Sequence, residues 1–318
     1  MKICLVKTSS MGDILHSLPA LTDAQQHIPN LQVDWVVEEN FAEIPRWHSA
    51  VKQIIPIALR RWRKSPFASQ TRQQWQQYRQ QLQQTQYDAV IDAQGLFKSA
   101  FFATRLAKGK KYGYDRHSIR EPIASFFYDQ KAHISYQQHA VERIRHLFAQ
   151  SLAYPQPTSV ADYGIAQHFL NTQTEKPYVI FLHGTTREDK CWSREYWRQL
   201  AEKLAERNIE VRLLWSNAQE QARVEWIAQG LANVVILPKS NLTQIAQQLA
   251  NAKLVVSVDT GLAHLTAALD KPNLTLYGAT DPKLIGTYGK NQVHIAKSTM
   301  VDIAVADIWQ QTLELISK

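Results

Sequence analysis

Asp259, Thr260 and Gly261 stand in immediate succession, with His264 one helical turn further on, and no other stretch of this 318-residue chain is better spaced for chemistry. A carboxylate, a hydroxyl and a residue without a side chain, placed at the start of a helix, can hold an anion. The first backbone N–H groups of a helix lack partners, its dipole is positive at that end, and glycine lets a ligand approach the backbone. His264 can add a proton donor, although the same residues also serve as an ordinary cap and a packed histidine. A second set is His183, Gly184, Thr185, Thr186 and Lys190, in which hydroxyls, backbone amides and one mobile cation suit phosphate. Glu220, further along, suits either ribose hydroxyls or the dipole of its helix. Near the other end of the chain, Asp13 follows a loop of small and hydroxyl residues and can take a proton from a substrate hydroxyl or favour a helix start. Arg60, Arg61, Arg63 and Lys64 surround Trp62, and nearby acids in the sequence do not satisfy them. The cluster reads as an anion-binding site in preference to a solvated charge run.

These residues must be positioned by the elements around them, and each set follows an apolar run. Residues 254–258, 2–6, 178–182 and 210–215 are short and apolar, as strands buried on both faces of a parallel sheet are. Helical spacing follows them, for example at Ile14, Leu15, Leu18 and Leu21, or at Leu262, Leu265 and Leu269. Residues 87–91 repeat the pattern, leading through Asp92 and Gln94 to a helix with Lys98. The glutamine-rich stretch 70–86 keeps Trp75, Tyr78 and Leu82 on one face and reads as a surface helix. Strands and helices alternate on both sides of a segment with Pro155 and Pro157. The expectation is an α/β chain with a domain at 1–154, a linker at 155–176 and a domain at 177–318, the last helix being free to pack back on the first domain. Ligands belong at the carboxyl ends of the strands. Neither the GxGxxG nor the GxxxxGK[ST] spacing is present.

With 45% hydrophobic residues the chain can fill two cores, and no apolar run approaches the roughly 20 residues that span a bilayer. Residues 1–10 lack the pattern of a secretory signal, so the expected location is the cytoplasm. The net charge of +8 points to an acidic partner, whether nucleic acid, anionic lipid or a small acidic substrate. Cys4 and Cys191 are too far apart in sequence to suggest a metal cluster or a disulfide framework.

The motifs KTSSMGDILHSLPAL, ALRRWRK, DAQGLFKSA, HGTTREDKCW, SVDTGLAHLTAAL and LYGATDP occur in this order along the chain. Together they resemble the ADP-heptose:lipopolysaccharide heptosyltransferases, particularly those that add the first heptose to the Kdo of lipid A. The resemblance implies a GT-B fold, in which two Rossmann-like domains with parallel sheets face each other across a cleft. It implies an inverting, metal-independent glycosyltransferase without a cofactor, with ADP-heptose as co-substrate. Asp13 would be the general base. Thr185, Thr186, Lys190, Thr260 and Gly261 would hold the diphosphate and Glu220 the ribose, while Asp259 and His264 would touch the donor or order its loop. Arg60, Arg61, Arg63 and Lys64, with Lys98 and Arg120, would face the acidic Kdo-lipid A acceptor. The implied partners are thus the ADP-sugar, that acceptor and the anionic inner-membrane surface, contacted peripherally from the cytoplasmic side by a monomer. The alternatives are another GT-B transferase, such as one with heptosyltransferase II-like acceptor choice, and a basic nucleotide- or RNA-binding protein without catalysis.

Overall fold

Uninterrupted apolar runs form the centre of each of two sheets, as expected for strands covered on both faces. In the computed structural model, which describes residues 1–170, 176–185, 187–278 and 280–317, the chain divides between Gly164 and Ile165. The first unit contains β1 (Lys2–Val6), β2 (Gln32–Glu38), β3 (Val51–Ile57), β4 (Ala89–Asp92), β5 (Lys111–Tyr114) and β6 (Gln130–Ala132). All pairings are parallel, in the order β3-β2-β1-β4-β5-β6. The second unit contains β7 (Tyr178–Leu182), β8 (Glu210–Leu213), β9 (Val234–Ile236), β10 (Leu254–Val258), β11 (Asn273–Tyr277) and β12 (Gln292–Ala296). Its parallel sheet runs β12-β11-β10-β7-β8-β9, which repeats the first order when read from the other edge. Each sheet therefore has one point where the chain reverses its direction of winding, between β1 and β4 and between β7 and β10. Ligands of such sheets bind beyond the carboxyl ends of the strands at these points.

The helices of the first unit are α1 (Met11–Leu15), α2 (Leu18–His27), α3 (Leu59–Trp62), α4 (Ser69–Gln83), α5 (Phe97–Ser99) and α6 (Ala140–Leu152). Those of the second are α7 (Arg194–Ala205), α8 (Ala218–Ala228), α9 (Leu242–Asn251), α10 (Gly261–Ala268), α11 (Pro282–Ile285) and α12 (Val305–Ile316). The spacing of Ile14, Leu15, Leu18 and Leu21 suggests one helix, yet α1 ends at Leu15 and α2 begins anew with Pro19 in its first turn. Proline is tolerated there because the first N–H groups have no helical partner. The glutamine-rich segment forms α4, whose Tyr78 and Leu82 are buried with Val36, Ile55 and Ile57 under the first sheet. Trp192 and Trp197 are core residues against Phe181. The last helix, α12, lies on α7 and β10 of its own unit because Val305 and Ile308 belong to that core. Two edge strands, β6 and β12, are absent from the sequence reading, being half-exposed and without an apolar run.

Candidate functional site

Asp13 in the first unit and Thr185, Lys190, Asp259, Thr260 and Gly261 in the second fall at the two winding reversals, while the cationic cluster follows the edge strand β3 and Glu220 follows β8. In the first unit β1 opens into the loop that ends at Asp13, and β4, its neighbour in the sheet, opens into Gln94 and Gly95. Asp92 closes β4 and is fully buried. Its carboxylate accepts hydrogen bonds from the N–H groups of Gln94 (2.9 Å) and Gly95 (3.1 Å) and from the hydroxyl of Thr104 (2.8 Å). Gly95 adopts φ +68, a region that penalises any side chain with a Cβ, and a Cβ here would also lie 2.9 Å from Ile119. The turn so held aims Gln94 back at β1, where its Oε1 accepts from the N–H of Thr8 (2.9 Å) and of Ser9 (3.1 Å). The loop carrying Asp13 is thereby fixed by side chains from the adjacent strand end.

Asp13 itself accepts from the N–H and the hydroxyl of Ser10, each at 2.9 Å, and its Oδ1 lies 3.5 Å from the ammonium of Lys7. Lys7 is buried and donates to the carbonyl of Ala93 at 2.9 Å. Burial of the Asp13 carboxyl works to raise its pKa, but Lys7 and the two Ser10 donors outweigh this and hold it below the usual aspartate value. With 44% of its side chain exposed, Asp13 is an ionised carboxylate that a substrate hydroxyl can reach. Lys7, Asp92 and Gln94 were not identified as site residues from sequence. For Asp92 and Gln94 the signal is the adjacency of β1 and β4, which local patterns do not carry, whereas Lys7 lies in the same loop as Asp13.

The cationic cluster differs from its sequence reading. Acids do satisfy part of it, because β2 ends beside β3 and brings Glu38 and Glu39 to α3. Arg61 donates to both carboxylate oxygens of Glu39 (2.9 and 2.8 Å) and to Gln74 (2.7 Å). The N–H of Arg60 donates to Glu38 at 3.0 Å. Burial raises the pKa of Glu38 against the opposing pull of Arg60, with the Lys98 ammonium acting on the same carboxylate. Arg60, Arg63, Lys64, Lys98 and Arg120 have exposed side chains. Trp62 is buried and donates to Gln74 at 2.9 Å, so it anchors the cluster.

In the second unit the loops after β7 and β10 meet. Lys190 and Asp259 form an ion pair of 2.5 Å, with only 18% and 14% of the side chains exposed. The hydroxyl of Thr185 donates to the carbonyl of Asp259 at 3.2 Å. Thr260, not Asp259, is the N-cap of α10, and its hydroxyl makes no capping bond. The first residues of α10, Gly261 and Leu262, are partly exposed, so the helix start is open. His264 is buried within α10. Glu220, in the first turn of α8, accepts from the N–H (2.8 Å) and hydroxyl (2.6 Å) of Ser216. It packs over Gly184, where a Cβ would lie 2.6 Å from its Oε1. Thr185, Lys190, Asp259, Thr260 and Gly261 are thus brought to one edge of the sheet, with Glu220 beside Gly184. Thr186 lies outside the described residues. Among the described residues no group of three His, Cys, Asp or Glu side chains is placed to hold a metal ion, and no helix is long and apolar enough to cross a membrane.

Comparison with known proteins gives this geometry a family. Residues 75–304 match the sequence profile of glycosyltransferase family 9 (heptosyltransferase). The chain is 57% identical to lipopolysaccharide heptosyltransferase 1 of Escherichia coli K12, over 92% of each chain. It is 51% identical to lipopolysaccharide heptosyltransferase 1 of Pseudomonas aeruginosa, over 93% of this chain and 83% of the relative. The solved structure of Escherichia coli heptosyltransferase WaaC with ADP superposes with a TM-score of 0.97 at 54% identity, covering 99% of this chain and 100% of the other. The fold is of the GT-B type, and the chain belongs to glycosyltransferase family 9, the heptosyltransferases.

Proposed function

We propose that the chain transfers L-glycero-D-manno-heptose from ADP-heptose to the Kdo of Kdo2-lipid A, with inversion at the anomeric carbon, in assembly of the lipopolysaccharide inner core. One observation carries the donor half of this reading: Thr185 and Lys190 both reach Asp259, immediately ahead of the open start of α10. A diphosphate at that helix start meets free N–H groups and the positive dipole end, and can draw the Lys190 ammonium from Asp259 to itself. Glu220, which packs over Gly184, supports the reading as the acid that would meet the ribose. The solved relatives of the chain include WaaC bound to ADP and to ADP-2-deoxy-2-fluoro heptose.

In the reaction the bond between the anomeric carbon and the diphosphate oxygen breaks as the acceptor oxygen bonds to that carbon. The electron pair leaves with ADP, where Lys190 and the α10 terminus offset the growing negative charge. The acceptor hydroxyl surrenders its proton to Asp13. A single displacement needs only this one carboxylate. Lys7 and Ser10 keep Asp13 ionised before the proton arrives, and Arg60, Arg63, Lys64, Lys98 and Arg120 offer their charge to acceptor phosphates and carboxylates. Arg61 joins them by exchanging Glu39 for the acceptor. An acceptor of this kind sits in the inner membrane, and the positive chain works at its anionic cytoplasmic face as a peripheral protein.

The test is a mass-spectrometric assay of the purified chain with ADP-heptose and Kdo2-lipid A, which should show addition of one heptose. Asp13→Ala should abolish transfer while leaving ADP-heptose binding nearly intact; near-normal turnover by this variant would remove Asp13 as the base. Salt-sensitive binding of polynucleotide, without any heptose transfer by the native chain, would favour the non-catalytic nucleic-acid reading.

A further inference from the structure

Five aromatic and aliphatic side chains of the first unit make an apolar ridge that the transfer reaction does not use. Phe97 of α5 stacks on Phe101 of the following helical turn (ring centroids 5.4 Å apart), and Phe127 meets both rings edge-on at 6.0 and 6.2 Å. The 3-10 turn Pro122–Phe127 is tied to α5 by Glu121, which accepts from the N–H of Phe97 at 2.7 Å. Residues three apart in such a turn project from the same side. Here those residues are Ile123 and Phe126, 54% and 81% exposed. Large apolar side chains at this exposure gain little within the chain, and Phe97 beside them is itself exposed.

The charge around the ridge indicates what covers it. Three cations belong to the segments that bear the ridge: Lys98 is next to Phe97, Arg105 is one turn beyond Phe101, and Arg120 precedes Glu121. The acid that stands among them, Glu121, is occupied by the N–H of Phe97. Arg105 lies 3.6 Å over the ring of Phe101, while Lys98 and Arg120 extend from the two segments that bear the ridge. Aromatic side chains rimmed by cations match the boundary of an anionic bilayer, where rings enter the acyl edge and ammonium and guanidinium groups meet phosphate.

We infer that this ridge, led by Ile123 and Phe126, is the surface by which the chain docks on an anionic lipid bilayer. The inference rests on the peripheral membrane reading above and assigns it to particular side chains. It is independent of the acceptor, because the contact is with bulk lipid.

The experiment is flotation of the full chain with vesicles of phosphatidylethanolamine containing about a quarter phosphatidylglycerol and no Kdo-lipid A. The variants are Phe126→Ser and the double variant Ile123→Ser with Phe126→Ser, and heptose transfer to a soluble, deacylated Kdo acceptor reports folding. The partition coefficient should fall about tenfold or more in the double variant, the factor that withdrawing one or two large apolar side chains from lipid implies. Transfer to the soluble acceptor should be unchanged. Vesicle binding equal to the native chain in both variants would overturn the assignment. So would a native dimer that the variants dissociate while vesicle binding persists, since the ridge would then join two copies of the chain. A native chain that binds vesicles yet transfers no heptose would sink the transferase reading and leave this one standing.

Discussion

Replacing Lys7 with methionine should move the acid limb of the pH–rate profile, because Lys7 supplies the charge that keeps Asp13 ionised. The ammonium is 3.5 Å from Oδ1. Two unit charges at that distance attract by about 1 kcal/mol in a water-like medium and about 5 kcal/mol at an effective dielectric near 20. Nearly half of the Asp13 side chain is exposed, so solvent screening brings the value toward the lower bound, about 1–2 kcal/mol. That corresponds to a rise of roughly one unit in the pKa of Asp13 on losing Lys7. The base works as the anion, so activity falls as pH drops through its pKa. With Asp13 as the proposed base, this should occur in the native chain below the ordinary aspartate value, since Lys7 and Ser10 hold its pKa down. Stability follows the same sign: a depressed folded pKa contributes above the unfolded value and is lost as pH falls through the folded one. The assay is kcat/KM for transfer to a soluble acceptor from about pH 2.5, below the usual aspartate value, to about pH 9, where the limb reports the free enzyme's base. Lys7→Met should show the limb about one unit higher, and Asp13→Asn, with turnover reduced by about 100- to 10,000-fold, should show none. Removing Lys7 also deprives the Ala93 carbonyl of its donor at a cost of about 1–3 kcal/mol, so the thermal midpoint must be measured alongside. A limb that stays in place in a folded Lys7→Met variant would refute the reasoning, since Lys7 would then not set the charge on the base.

Three further outcomes follow from the contacts. Gly184→Ala should weaken ADP binding about tenfold by calorimetry, because the new methyl displaces Glu220 from 2.6 Å away; unchanged affinity would count against Glu220 as the ribose contact. Arg145, 1% exposed, bonds both oxygens of Asp23 (2.7 and 3.1 Å) and the Ser159 carbonyl (2.9 Å). Its replacement by methionine should cost about 3–5 kcal/mol by stranding Asp23, read as a fall of roughly 6–12 °C or more in the thermal midpoint. Arg60→Ala should raise the acceptor KM about tenfold or more with little change for the donor, as expected for a lost charge-assisted contact. Arg61→Ala should do less, because Arg61 must first give up Glu39, and equal loss for both substrates would remove the cluster from the acceptor.

The strand-end sites were legible in the sequence because their signal is local. An apolar run, a turn with Asp, Thr or Gly and then a helical spacing occupy about fifteen consecutive residues at 254–268, and the same motif places Asp13 and Lys190. Sequence order does not reveal which strand ends lie side by side, and the pairing of Arg61 with an acid is invisible in it for that reason. Arg61 and Glu39 are 22 positions apart and meet only because β2 pairs with β3 in the register that sets Glu38 opposite Ile57. The same gap hid Gln94, 86 positions from Thr8, which becomes its neighbour once β4 joins β1. Edge strands β6 and β12 escaped for a different reason, since a half-exposed edge strand has no need of the apolar run that marks a buried one. The residues with chemical character can therefore be found from motif alone, whereas their protonation and availability depend on strand order. Asp13 illustrates the division: its presence is written in one loop, and its charge is set by Lys7 and Ser10 within a loop that Asp92 and Gln94 hold in place from the next strand.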